Sequence, residues 1–181
     1  MATSPLIRPA TPADIPAILA LMRGLAEYEK LTHLFAATDA NLHASLFGEQ
    51  PAAQCLVVEG NATDDTTGHA STGLVAYALW FQNYSTFLAK PGLYLEDIYV
   101  HPDHRGHGIG KALLLRLAAI AVERGYGRFE WTVLDWNQPA IDFYEGMGAQ
   151  VLPEWRIVRV AGEALAKMGR QAGEKQGASH G

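Results

Sequence analysis

The chain has 181 residues, of which 49% are hydrophobic, enough for a real core in a single domain, and nothing in its organisation suggests two. A formal net charge of -5 without any dense Lys/Arg run argues against nucleic acid as a partner and gives mild attraction to a cationic substrate. Cys55, the only cysteine, excludes an internal disulfide and reads as a small core residue. No apolar run reaches membrane-spanning length, and the start MATSPLIRPA lacks the regions of a signal peptide, so a cytoplasmic protein with no membrane partner is expected.

Leu6 to Arg8 begins a strand, and Thr11-Pro12-Ala13-Asp14 then supplies an N-cap, a first-turn proline and an acid for a helix to about Glu29. Ile15, Ile18, Leu19, Met22 and Leu25 recur at helical spacing and form its buried face. Asp39 is expected to cap a short helix through Leu46. Strands follow at Gln54 to Glu59, Gly73 to Phe81 and Gly92 to Val100, as antiparallel neighbours. The polar run between Gly60 and Gly73 reads as a hairpin connection. A helix over Ile109 to Arg124 buries Ile109, Leu113, Leu117 and Ile120 and is ended by Gly125. Next come a strand over Arg128 to Leu134, a helix over Pro139 to Met147, and one or two strands within Gln150 to Val160. The whole is a mixed α/β arrangement, with a β-helix-β unit inserted among mostly antiparallel strands. Residues 1–168 are expected to fold as one domain; the tail 169–181 has no apolar residue larger than alanine and is expected to stay disordered, so His180 is no site.

The most informative stretch is Leu93 to Gly110, LYLEDIYVHPDHRGHGIG, an apolar strand leading into a glycine-rich turn and a helix. Gly106, Gly108 and Gly110 allow positive φ and close backbone approach, and the exposed amides lie at the positive end of a helix, an arrangement suited to a diphosphate. A P-loop is excluded because the glycine spacing is one residue short and Lys111 is followed by Ala112. A dinucleotide fingerprint is excluded because Lys111 stands where its third glycine belongs. The remaining pattern, R-x-x-G-x-G, resembles the acyl-CoA pyrophosphate loop of the GNAT superfamily of N-acetyltransferases. Downstream, VLDWNQPAIDFYEGMGAQ resembles that superfamily's second CoA-contacting segment, with Asn137, Ala140, Phe143, Tyr144 and Gly148 in register. The likeness runs from about Leu6 to Leu165; through AEYEKL, FGEQP, YLEDIYV and VLDWNQ it is nearest to the diamine (spermidine/spermine) and thialysine acetyltransferases. It implies a GNAT-type α/β fold, a mixed, mostly antiparallel twisted sheet flanked by helices on both faces.

An amine must attack as a free base, yet an alkylammonium has a pKa near ~10.4, so about one molecule in a thousand or fewer is reactive at pH 7. Glu96, in the strand before the turn, can attract the cation and accept its proton directly or through water, while Asp97 points to the opposite face if the strand is regular. In the similar diamine acetyltransferases the glutamate of LYLED contacts substrate. The departing CoA thiolate profits from a proton donor, and the resemblance places Tyr144 beside the sulfur as general acid. No Cys or Ser stands in a recognisable nucleophile setting, so direct transfer in a ternary complex is expected.

The pantetheine arm of acetyl-CoA, a co-substrate, can pair with backbone at Ile98, Tyr99 and Val100 as an added strand. Its diphosphate is expected at Gly106, His107, Gly108, Ile109, Gly110 and Lys111, with Arg105 and Lys111 adding charge; the resemblance also brings Asn137, Gln138, Pro139, Ala140 and Tyr144 to the cofactor. Tyr28, Glu29, Glu96, Glu130, Trp131, Thr132 and Trp155 are the substrate-side candidates. His101, His104 and His107 lack ligand partners at a metal spacing, so no metal is expected. Thr32 and His33 replace the acidic pair of the polyamine enzymes, which leaves short diamines and lysine-like amino acids such as thialysine sharing the lead as acceptors. The competing class is an acyl-CoA-binding sensor or interaction module without turnover. Similar enzymes are homodimers, and the same is expected here.

Overall fold

The computed structural model describes residues 5–60 and 73–177 of the chain, with side chains through 171. The backbone forms two compact units, residues 1–132 and 133–181. The first contains β1 (Leu6–Pro9), α1 (Ile15–Tyr28), α2 (Asp39–Phe47), β2 (Gln54–Glu59), β3 (Leu74–Ser85), β4 (Lys90–Val100), α3 (Ile109–Glu123) and β5 (Phe129–Trp131). These strands make one sheet in the order β1-β2-β3-β4-β5, antiparallel at the first three junctions and parallel only between β4 and β5, where α3 is the crossover. This is the expected mixed, mostly antiparallel sheet.

Local signals act as their chemistry dictates. Asp14 accepts hydrogen bonds from the Thr11 amide at 2.7 Å and hydroxyl at 2.8 Å, closing a capping box that starts a 3-10 turn leading into α1. Helix α2 is capped by Thr38, whose hydroxyl accepts from the Asn41 amide at 3.3 Å, and not by Asp39, which is its first helical residue. Strands β3 and β4 run further than their apolar cores predict, to Ser85 and from Lys90, because the short turn between them closes a continuous hairpin. The polar run expected to be a hairpin connection lies outside the described residues, apart from its ends, where the Gly60 amide donates to the Gly73 carbonyl.

Burial divides the sheet into two faces. Ile15, Ile18 and Leu21 of α1 pack with Val57, Tyr77 and Tyr99, one strand residue from each of β2, β3 and β4. The alternate residues Trp80, Leu93 and Leu95 are also buried, as are Leu113, Leu114 and Leu117 of α3, which packs against β3 and β4. Fully burying each such side chain contributes about 1.5–3 kcal/mol, so the sandwiching helices fix the height and tilt of β4.

The second unit holds α4 (Gln138–Gly146) and α5 (Gly162–Gly177). Gly148, at φ +93°, follows α4, and the Ala149 amide returns to the Tyr144 carbonyl at 3.0 Å, a C-terminal closure that glycine permits. Two strand expectations are corrected. The strand expected over Arg128 to Leu134 is confined to Phe129–Trp131, and none of residues 150–160 is in a strand. Apolar alternation alone makes no strand without an edge to pair with, and here Val151, Leu152, Trp155, Ile157, Val158 and Val160 are all exposed. Helix α5 was not anticipated; it carries the backbone through most of the segment expected to be disordered, as far as Gly177, while His180 lies outside the described residues.

Candidate active site

The centre of the site is an irregularity in β4. Leu79 faces Asp97 and Trp80 faces Leu95 across the β3–β4 ladder, so Glu96 is an extra residue, the inserted member of a β-bulge. Strict alternation, which separates Glu96 from Asp97 by a whole sheet, therefore fails here. Asp97 shares the face of Tyr77 and Tyr99, and its Oδ2 accepts a hydrogen bond from the Tyr77 hydroxyl at 3.3 Å. Burial foremost, and then the negative charges of Glu96 and Glu29, push the Asp97 carboxyl up to about 6. Burial also raises Glu29, the C-cap of α1. Three carboxylates from two elements thus share one electrostatic neighbourhood. Glu96 and Glu29 belong to the sequence-derived set; Asp97 and Tyr77 were missed, because only the bulge brings Asp97 into play.

Beyond the bulge, β4 has an edge with no strand beside it among the described residues, where the Val100 carbonyl accepts from Arg105 Nε. Its pairing with β5 covers only Leu93, Leu95 and Tyr94 between them. The His101 amide donates to the Val75 carbonyl of β3 at 2.8 Å, so by ladder parity Ile98 and Val100 turn their backbone groups to the other side, where no strand follows among the described residues. The edge leads into the glycine turn. Gly106 and Gly108 hold φ of +79° and +78°, and a Cβ built on either would meet nothing within 4 Å, so the space before them is open. Gly108 is the N-cap of α3, and the first intrahelical bond runs from the Ala112 amide to its carbonyl at 2.9 Å. The amides of Gly108, Ile109, Gly110 and Lys111 therefore have no intrahelical acceptor and sit at the positive helix end. These features fit a diphosphate followed by an amide-bearing arm.

The remaining candidates divide between the units. Glu130 on β5 is engaged by its own neighbours, accepting from Asn83 Nδ2 at 2.5 Å and pairing with Arg128 at 3.0 Å; Trp131 stacks at a tilt on Phe129, and Thr132 is exposed. Arg105 donates from Nε to the Val100 carbonyl at 2.9 Å. His101 Nδ1 lies 3.5 Å from Asp103, and no group of three or more His, Cys, Asp or Glu able to hold a metal occurs among the described residues. Burial pushes the Cys55 thiol up to about 12, so it is protonated at neutral pH and no nucleophile. In the second unit, Asn137 opens α4, its carbonyl accepting from the Ala140 amide at 3.0 Å, with Gln138 and Pro139 in the first turn. Tyr144 is half-buried on the same helix, its ring 5.5 Å from that of Phe143, and Trp155 is exposed.

One parallel junction, a bulge carrying an acid, an open strand edge and a glycine-capped helix thus lie on β4 and the elements next to it. The profile of the acetyltransferase (GNAT) family matches residues 19–149, and the chain belongs to that family. It is an N-acetyltransferase. It is 38% identical over 194 residues to L-ornithine N5-acetyltransferase NATA1 of Arabidopsis thaliana, covering 88% of this chain and 85% of that one. It is 40% identical over 167 residues to thialysine N-epsilon-acetyltransferase of Bos taurus, covering 90% and 96%. Among solved structures, an integron cassette protein from V. cholerae matches with a TM-score of 0.71 at 22% identity over 93% of this chain and 99% of that one, a likeness of fold. The GNAT family uses acetyl-CoA as its acyl donor.

Proposed function

We propose that the protein moves the acetyl group of acetyl-CoA to a primary amine of a small molecule, a diamine, polyamine or lysine-like amino acid, by direct attack with both substrates bound. The observation that carries this reading is that one strand, β4, presents the acid cluster of Glu96 and Asp97 and, two to four residues on, the strand edge of Ile98 and Val100, which no strand covers among the described residues. Acceptor and donor features are thus fixed to each other by strand geometry, at about 3.3 Å per residue. The names of the thialysine and ornithine relatives support acceptors carrying a side-chain amine.

Acetyl-CoA supplies the activated acetyl group. Ile98, Tyr99 and Val100 take its pantetheine arm, and Gly106 through Lys111 take the diphosphate, with charge from Arg105 and Lys111. Asn137, Gln138, Pro139 and Ala140 complete the cofactor contacts. Glu29, Glu96 and Asp97 gather the ammonium, with Tyr28, Glu130, Trp131, Thr132 and Trp155 as the acceptor wall. Glu96, assisted by Asp97, accepts the proton, and Tyr144 holds the proton that the leaving sulfur takes up. We further propose that residues 1–168 work as one catalytic domain, since the family profile runs through the junction of the two units. A cytoplasmic homodimer completes the proposal. No helix among the described residues is long and apolar enough to cross a membrane.

The deciding experiment is thiol release from acetyl-CoA with a panel of primary amines, including thialysine, ornithine and short diamines. Release with at least one of them supports transfer; tight CoA binding without release from any would leave a binding module. Gly108→Val tests the donor side. A valine at φ +78° is strained, and its side chain enters the open space before the turn, so acetyl-CoA affinity is expected to fall by roughly tenfold or more. Unchanged affinity by calorimetry in a folded variant would remove the turn from the donor site.

A further inference from the structure

The glycine turn is joined to the acceptor side of the site by one side chain. Arg105 leaves the turn, donates Nε to the Val100 carbonyl at 2.9 Å, and lays its guanidinium over two rings, 5.0 Å from the Tyr28 centroid and 5.5 Å from the Tyr99 centroid. Tyr28 is the last residue of α1, and Glu29 caps it. The helix end is then closed backward, with the Lys30 amide on the Glu27 carbonyl at 3.1 Å and the Leu31 amide on Ala26 at 2.8 Å, so Glu29 has little freedom apart from Tyr28. Tyr99 anchors the other side: a Cβ at Gly24 would come within 2.7 Å of its hydroxyl, so glycine in α1 lets the helix settle on that ring.

We propose that Arg105 is a positioning residue which clamps the acceptor end of α1 to the diphosphate turn, so that the affinity for the amine depends on this contact. The inference rests on the acetyltransferase reading and deepens it. A guanidinium that served only as a countercharge for phosphate needs no aromatic partners and no backbone acceptor. Here its Cζ lies over the rings of both Tyr28 and Tyr99, and its Nε is held by the strand edge. The chain of contact runs Gly106, Arg105, Tyr28, Glu29, from donor backbone to acceptor carboxylate. Lysine would keep the charge and lose both the planar stack and the fork.

The test compares wild type, Arg105→Lys, Tyr28→Leu and the double variant, using calorimetry for acetyl-CoA affinity and steady-state kinetics at saturating acetyl-CoA with an amine from the panel that wild type turns over. Arg105→Lys, which keeps the charge offered to the diphosphate, is expected to raise the amine KM roughly 5- to 30-fold, a larger factor than its effect on the acetyl-CoA Kd, with kcat changed far less. The double variant is expected to be no worse than the weaker single variant, since both break one contact. The clamp is overturned if Arg105→Lys weakens acetyl-CoA and leaves the amine KM unchanged, or if the two substitutions multiply in the double variant. A wild type that turns over no amine would overturn the acetyltransferase reading itself, and the clamp with it.

Discussion

Tyr144→Phe is expected to lower the single-turnover rate of acetyl transfer by about 10²- to 10⁴-fold, the scale of a lost general acid. The ring remains, and Tyr144 lies half-buried on α4 against Phe143, so loss of one hydroxyl leaves the helix packing largely intact. Both ground-state affinities should survive, because the hydroxyl is required mainly as the sulfur departs. A thiolate also leaves unassisted in water, which sets the expectation toward the lower end. The measurement is a rapid-quench experiment at saturating amine and acetyl-CoA, where product release does not enter. Transfer as fast as wild type would reduce Tyr144 to a wall of the pocket and leave thiolate protonation to solvent.

Glu96→Gln is expected to lower kcat/KM for small amines by about 10²-fold or more, with acetyl-CoA affinity nearly unchanged. The substitution keeps the bulge and removes one of the charges gathered there. Its pH dependence adds a second, sharper expectation. Asp97 stands at about 6, raised first by burial and then by Glu96 and Glu29. Protonation of Asp97 should make wild-type kcat/KM fall as pH drops from 7 to 5, with an apparent pKa near 6. Removing the Glu96 charge lets Asp97 ionise more readily, so the residual activity of Glu96→Gln should show its acid limb at lower pH. Wild-type activity retained by the variant across pH 6 to 9 would take Glu96 out of the mechanism.

The geometry of the glycine turn, the candidate donor half, was legible because it lies in the backbone and is written in contiguous residues. Glycines at 106 and 108 announce positive φ, and the helix after them announces free amides, whatever the side chains do. The buried face of α3 was readable for a similar reason, being set by neighbours within one or two turns; that of α1 was readable in part, since Leu21 is buried while Leu19, Met22 and Leu25 are only partly so, and its N-cap is Asp14, Thr11 instead starting the 3-10 turn before it. The acceptor half was only partly readable. Glu96 could be singled out, but the bulge beside Trp80 arises from the register of two strands, and no pattern within LYLED reveals it. Without the bulge, Asp97 seemed bound for the far face. Arg105 presents the same difficulty, since its partners Tyr28 and Tyr99 lie far from it or on another element. Residues 150–160 mark the opposite error: one or two strands were expected there, but a strand is a relation between two segments, and none forms there among the described residues.

The half-buried Asp97 also bears on the thermodynamics of the whole protein. A carboxyl whose folded pKa is raised from 3.8 to about 6 contributes stability that is fully present below the unfolded value and is lost as pH rises through about 6, because ionisation is easier in the unfolded chain. Asp14, held by Arg8 and Thr11 well below the usual carboxylate range, works in the opposite sense, and its contribution is lost as pH falls through the acid range. At neutral pH ionised Asp97 is therefore expected to cost the fold about 3 kcal/mol. Asp97→Asn keeps an oxygen for the Tyr77 hydroxyl and removes the charge, so its melting temperature at pH 7 should rise above that of wild type while its turnover falls. If that result is obtained, the buried carboxyl of Asp97 is kept at a cost to the fold, and stability and the proposed amine capture pull its charge in opposite directions.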